Sequence, residues 1–386
     1  MRLTILYQGY TIGRLNDDTG SMLFQYDNDF LSKKIELSPF YLPLQRGATA
    51  TRSPFEGDLP GLFVDSLPDH WGRTIMDRRL REAGISPENV SILKRLSLVG
   101  SGGLGALAYQ PDETDETNSL ADLSEAMQFA GAVIEESAGT LPGAKALQEA
   151  GSNPGGRFPK ILVGWKEDSE RLMIGSRDFT EDYIPCIMKL DMGKLLPPHL
   201  RNICEKEHRL LSAARESGIE TPRHWLIRGE NKETGSYTHL VVKRFDRKGS
   251  QRIHTHTFGG VTHQLAIRYG SSYEDLLRTT LALTKDHRQV TQQYRRMVFN
   301  VLCGNRDDHV RNHSFVFDES NQWTLSPAYD LAPTPEKAEH ALSVNSKWNS
   351  ISDSDLIKVA ELFSIEKPTG IIEQCRESIA AILDIG

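Results

Sequence analysis

The stretch from Asn305 to Asp330, NRDDHVRNHSFVFDESNQWTLSPAYD, constrains the fold of this 386-residue chain more than any other. Before it, from Arg288 to Cys303, Val290, Tyr294, Met297, Val298, Val301 and Leu302 recur at helical spacing and make one apolar stripe. Within it, Ser314 to Phe317 and Trp323 to Leu325 read as short β-runs joined by the turn-forming Asp318-Glu319-Ser320-Asn321. The pattern predicts a core helix that delivers the chain into a polar loop, and a hairpin that carries it back. Asp307 and Asn312 stand five positions apart in the loop, and Asp330 arrives at the hairpin's far end.

Phosphoryl transfer needs such a set, because its donor is highly charged. One carboxylate accepts the hydroxyl proton, while an amide and a second carboxylate fix Mg²⁺ on the phosphates. The D-x-x-x-x-N spacing, with Arg306 before the Asp, is that of a protein-kinase catalytic loop. Two other readings of the same residues stand beside it. Asp and Asn are ordinary turn formers, so NRDD is also a plain polar loop after a helix. Asp307, Asp308, His309 and His313 also suit a transition metal, as in a metallohydrolase.

A net charge of −7 and a pI near 6.0 argue against a general nucleic-acid binder, and 38% hydrophobic content is enough for a sizeable core in two or three domains. No apolar run reaches bilayer length, and MRLTILYQGYTIGRL lacks a secretory h-region, so a cytoplasmic protein without a membrane partner is expected. Cys186, Cys204, Cys303 and Cys375 form no C-x-x-C pair and read as reduced core residues.

Composition shifts and the placed motifs predict three regions: 1–112, a β-rich subdomain; 113–250, a kinase N-lobe-like region with the Gly-rich loop; and 251–386, a helical lobe with the catalytic loop. LTILYQG, TIGRL and SMLFQY predict an antiparallel meander, followed by helices over Asp69 to Glu82 and Pro87 to Leu98. The GSGGLG of Gly100 to Gly105 fits G-x-G-x-x-G, but a helix precedes it and a strand follows. A tight turn is therefore expected, not a dinucleotide site. The acidic PDETDETNS reads as a linker, and Leu120 to Ala138 as a helix.

GSNPGGRFPK, Gly151 to Lys160, brings Ser152, Asn153, Gly155 and Gly156 just before an apolar run. Such a loop lets backbone N–H groups approach phosphate oxygens, although it is also a plain turn into a strand. Lys189 stands near the end of the run DYIPCIMKL, and Glu207 lies on or beside the apolar face of a helix predicted over Pro198 to Ser217. A strand lysine paired with a helix glutamate seats the α- and β-phosphates in kinases; the alternative is an edge-strand lysine and a solvated helix charge. The strand HLVVKRF ends at a polar turn, Asp246 to Gly249, which makes Lys243 to Phe245 the candidate adenine-binding hinge. Helices are expected over Thr262 to Tyr269, Tyr273 to Leu283, Asp355 to Ser364 and Thr369 to Leu383. His254, His256 and His263 read as a polar face with residual metal or substrate roles.

With these pieces placed, the chain resembles the HipA-type serine/threonine kinases, toxins of bacterial toxin-antitoxin modules, along nearly its whole length. The resemblance is carried by NRDDHVRN with LSPAYDL, CIMKL, KEHRLLSAARESGIETP, VVKRFDR, FEGDLPGLFVDSLPDHWGR and GALAY. It implies an α+β, two-lobed protein-kinase-like fold with a β-rich N-terminal part and an all-helical C-terminal lobe. Asp307 carries over as the catalytic aspartate, Asn312 and Asp330 as Mg²⁺ ligands, and Lys189, oriented by Glu207, as the ATP-contacting lysine. Ser152, Asn153, Gly155, Gly156, Lys160, Lys243, Phe245 and His309 complete the expected ATP-binding set. The cofactors implied are ATP and Mg²⁺. The partners implied are a cytosolic protein substrate, with aminoacyl-tRNA synthetases among the family's targets, and a helix-turn-helix antitoxin through which DNA is reached indirectly. A kinase-shaped binding module, catalytically weak and working through such a complex, is the rival reading. The family's Gly-rich loop carries a serine that autophosphorylates; here either Ser152 or Asn153 occupies its place.

Overall fold

The computed structural model describes residues 1–18, 20–68, 70–114, 123–134, 158–168, 171–175, 179–195, 201–231, 235–267 and 269–383. They belong to two compact units, Met1–Cys204 with His224–His254, and Glu205–Arg223 with Thr255–Gly386.

In the first unit, alternating burial builds the expected meander. Leu3, Ile5 and Tyr7 of β1 (Arg2–Tyr7) point inward, and β2 (Tyr10–Asn16) and β3 (Leu23–Tyr26) pair with it in sequence. β4 (Ala48–Ala50) and β5 (Leu107–Gln110) flank them in the antiparallel order β4-β3-β2-β1-β5. Helices α1 (Asn28–Lys33), α2 (Gly61–Val64), α3 (His70–Glu82) and α4 (Ile92–Val99) lie between the strands in sequence. The helix predicted from Pro87 is split. Pro87–Asn89 makes one 3₁₀ turn, and α4 begins only where the Ser91 hydroxyl accepts the Lys94 N–H at 3.2 Å.

A second sheet follows α5 (Leu123–Ile134) in the chain. It contains β6 (Lys160–Lys166), β7 (Arg171–Ile174), β8 (Ile184–Lys189), β9 (His224–Asn231) and β10 (Gly235–Lys243), in the order β7-β6-β8-β10-β9. Ile161, Val163, Met188 and Val241 share one core with Phe129 of α5 and with Trp71 and Ile75 of α3. The Trp71 indole N–H donates to the Lys160 carbonyl at 2.9 Å, which ties the start of α3 to β6. The linker predicted after Pro111 lies largely outside the described residues.

The polar turn expected from Asp246 to Gly249 forms, and Asp246 within it centres a buried charge cluster that clasps the GSGGLG turn. Beyond β10 the chain makes a small hairpin, β11 (Arg247–Lys248) and β12 (Gln251–Arg252). Arg244 grips the Asp246 carboxylate with two bonds of 2.8 Å, Arg247 adds a third at 2.8 Å, and Gly105 N–H a fourth at 2.7 Å. Arg252 then donates to the carbonyls of Ser101, Gly103, Gly105 and Leu107. The turn thus points a row of carbonyl oxygens at cations, the reverse of a phosphate-binding loop, which explains why its glycine pattern is no dinucleotide fingerprint.

The second unit is mainly helical: α6 (Ile203–Glu216, its first two residues counted with the other unit), α7 (Phe258–Thr262), α8 (Tyr273–Thr284), α9 (His287–Cys303), α10 (Asp353–Leu362) and α11 (Pro368–Leu383). It also carries a small sheet, β13 (His254–Thr257), β14 (Ser314–Phe317) and β15 (Trp323–Leu325), the last two forming the predicted hairpin. Val290, Tyr294, Met297 and Val298 of α9 are fully buried, as the stripe requires. Three local expectations change. The helix placed over Thr262 to Tyr269 is instead α7, capped by the Thr257 hydroxyl and closed by His263 in left-handed backbone. His254 and His256 are buried at alternate positions of β13, not on a polar face. The helix placed over Asp355 to Ser364 starts earlier, at Asp353, through a capping box between Ser352 and Asp355. Among the described residues no helix is long and apolar enough to cross a membrane.

Candidate active site

The helix α9 ends on Gly304, whose left-handed backbone (φ 70°) turns the chain into the polar loop. There the carbonyl oxygen of Asp307 accepts the His309 N–H at 2.8 Å and the Asn312 side-chain amide at 2.7 Å. These bonds hold the Asn312 nitrogen inward, so its amide oxygen is the atom available to a cation. The same tight turn sends the neighbouring carboxylates apart: Asp307 is 39% exposed, whereas Asp308 is fully buried. The sequence pattern treats this pair as equivalent, but only the first can meet a substrate.

Asp308 anchors the loop from beneath. Its carboxylate accepts bonds from Tyr273 Oη at 2.7 Å, His340 Nδ1 at 2.9 Å and the Ala341 N–H at 2.8 Å. Tyr273 in turn accepts from Asn300, and Asn300 from Asn305, so the network runs from α8 through α9 to the loop. Burial pushes the His313 imidazole down to about 4, so it is neutral at pH 7. One ring nitrogen faces the Gln293 amide at 3.5 Å and the other the Asp308 carbonyl at 3.4 Å. Asp308 and His313 therefore serve protein groups, and among the described residues no three His, Cys, Asp or Glu side chains form a metal site. This removes the set Asp307, Asp308, His309 and His313 as transition-metal ligands. Replacing Asp308 with alanine strands three donors and should cost about 3 kcal/mol or more in urea unfolding; a loss below about 1 kcal/mol would mean that the network is not an anchor.

Asp330 is brought to the same place. Its carbonyl lies 3.5 Å from the Asn305 amide nitrogen, and its neighbour Tyr329 donates to the carbonyl of Arg311 at 2.8 Å. Asp330 adopts left-handed backbone, φ 58°, a strain of about 1 kcal/mol of the kind that collects at functional sites. Gly259 of α7 lies against the loop from another side: its N–H donates to Val310 at 2.9 Å, and a Cβ there would meet the Val310 side chain at 2.7 Å.

A segment the sequence does not flag straps the loop. Thr334 N–H donates to the Gly304 carbonyl at 3.1 Å, and its hydroxyl accepts the Arg306 N–H at 2.7 Å. Arg306 donates to the Lys337 carbonyl at 2.6 Å, the Lys337 ammonium forms an ion pair with the Asp307 carboxylate, and His340 and Ala341 hold Asp308. No fixed spacing from a motif points to Thr334, Lys337 or His340, which is why the sequence leaves them unseen.

The other candidates lie elsewhere in the chain. Lys160 and Lys189 are register partners on β6 and β8 and are both buried, with β8 an interior strand; this excludes the edge-strand reading of Lys189. Lys243 ends β10 opposite Cys186, and Phe245 follows between the buried Arg244 and Asp246. Glu207 is buried on α6 and belongs to the second unit, whereas Lys189 belongs to the first. A solvated helix charge is excluded for Glu207 as well. His309 takes the Arg311 N–H on Nδ1 at 3.3 Å. Ser152, Asn153, Gly155 and Gly156 lie outside the described residues.

Comparison with known proteins now adds to the geometry. Residues 152–383 match the family model of the HipA-like C-terminal domain, and residues 3–110 match that of the HipA N-terminal domain. The chain belongs to the HipA family. A Haemophilus influenzae protein named "Putative kinase" is 28% identical over 35% of this chain and 43% of its own length. "Putative kinase Y4mE" of Sinorhizobium fredii is 25% identical over 86% of this chain and 77% of its own. A second Sinorhizobium fredii relative, "Putative kinase Y4dM", is 25% identical over 48% of this chain and 49% of its own, so the chain spans less than half the length of two of these relatives. The solved complex of Shewanella oneidensis MR-1 HipA, HipB and operator DNA contains a chain of the same fold, with TM-score 0.73 and 19% identity over 100% of this chain and 91% of that one. The HipA fold is thus shown, and with it an α+β architecture.

Proposed function

We infer that this protein is a HipA-type serine/threonine kinase, which moves the γ-phosphoryl group of ATP to a hydroxyl of a cytosolic protein and acts as the toxin of a toxin-antitoxin pair. One observation carries the reading: an outward carboxylate, Asp307, whose own carbonyl orients the Asn312 amide, beside Asp330 in strained backbone. Asp307 accepts the hydroxyl proton. One carboxylate and one amide oxygen are a hard, sparse donor set. That fits Mg²⁺, which keeps most of its sites for phosphate and water, and the ion when bound supplies charge neutralisation at the phosphates. Lys160 and Lys189 hold phosphate oxygens, Glu207 orients Lys189, and Lys243 to Phe245 present backbone to the adenine. The solved Shewanella oneidensis relative sits with HipB and DNA; an antitoxin of that kind is the proposed partner here, with DNA reached through it.

The test is to incubate the protein with ATP, Mg²⁺ and extract of its source cells, and to map new phosphoserine and phosphothreonine. Transfer should stop when Mg²⁺ is chelated. Lys189→Ala should raise the ATP concentration for half-maximal rate at least about tenfold, the loss of one charge-assisted contact. An extract left unlabelled by the wild-type protein would sink the reading in favour of a binding module.

A further inference from the structure

Resting on that reading, we propose that Lys337 is a catalytic residue of the phosphotransfer: its ammonium, paired with the Asp307 carboxylate, meets the equatorial oxygens of the phosphoryl group as it passes to the acceptor. The ammonium pairs with the very carboxylate that takes the proton. Its place is built, because the strap is fastened on both sides of it: Thr334 to Gly304 and Arg306, the Lys337 carbonyl to Arg306, and His340 with Ala341 to Asp308. With side chains 34% and 39% exposed, the pair adds little to stability, so its value lies in where it puts a positive charge.

Phosphoryl transfer through a loose transition state asks little of base strength and much of charge placement. In the step, the acceptor O–H bond breaks and its proton goes to a carboxylate oxygen of Asp307. The acceptor oxygen bonds to the γ-phosphorus, and the bond to the β,γ-bridging oxygen breaks with its electron pair leaving on ADP. As the proton passes to Asp307, the Lys337 ammonium is released to pair with the equatorial oxygens of the transferred group.

Lys337→Met and Lys337→Arg are compared with wild type for labelling of source-cell extract from radiolabelled ATP, recording maximal rate, half-saturating ATP and melting temperature. Methionine should cut the maximal rate by about tenfold to a hundredfold with half-saturating ATP changed less than about twofold, arginine should recover most of the loss, and all three should melt alike. A Lys337→Met protein as fast as wild type or faster overturns the role, as does a loss confined to half-saturating ATP. A wild-type protein inert toward ATP removes the kinase reading and this role together, whereas an active wild type matched by Lys337→Met removes the role alone.

Discussion

Asp307→Ala should abolish phosphate transfer, a loss of about a thousandfold or more, while the protein stays folded. The separation is unusually clean here. The contacts that shape the loop use the Asp307 carbonyl, which alanine keeps, and the buried anchor is the neighbouring Asp308. The carboxylate itself is 39% exposed and pairs with Lys337, so its removal should move the melting temperature by no more than a degree or two. A purified Asp307→Ala protein that labels extract at the wild-type rate would dismiss Asp307 as the base.

The largest stability effect is expected far from the chemistry, at Asp246. Burial by itself would push this carboxyl up, but the Arg244 and Arg247 guanidiniums, with the Gly105 N–H, outweigh it and hold the group well below the ordinary carboxylate range. Asp246→Ala strips the counter-charge from buried arginines and should cost about 3 to 5 kcal/mol in urea unfolding. The folded carboxyl value lies below the unfolded one, about 3.9, so this stabilisation is complete above the unfolded value and is lost as pH falls through the folded one. Asp246→Asn cannot titrate and should lose less stability than wild type when both are taken from about pH 5 to about pH 2. Parallel acid limbs for the two proteins would show that the cluster carries no linked proton.

Local patterns made much of this legible. The apolar stripe of α9, the D-x-x-x-x-N spacing and the DESN turn predicted helix, loop and hairpin because each depends on residues close in sequence. What stayed hidden depends on distant pairings: β5 beside β1, the Arg252 side chain on the carbonyls of residues 101 to 107, and the strap on the loop. The errors have the same root. A histidine pair looks polar until a sheet buries it, and Asp246 looks solvated until Arg244 and Arg247 close on it. Asp307 and Asp308 look interchangeable until one turn of backbone separates them.

The hairpin after the loop is closed near its base by the Ser326 N–H on the Ser314 carbonyl and by Tyr329 on Arg311, while Glu319 to Gln322 at its tip stand in solvent. Chain length at the tip is therefore decoupled from the spacing of Asn312 and Asp330. Descendants of this gene are at liberty to lengthen or shorten it without moving those two side chains, and a fluorophore or affinity handle grafted there would ride on the protein as a passenger.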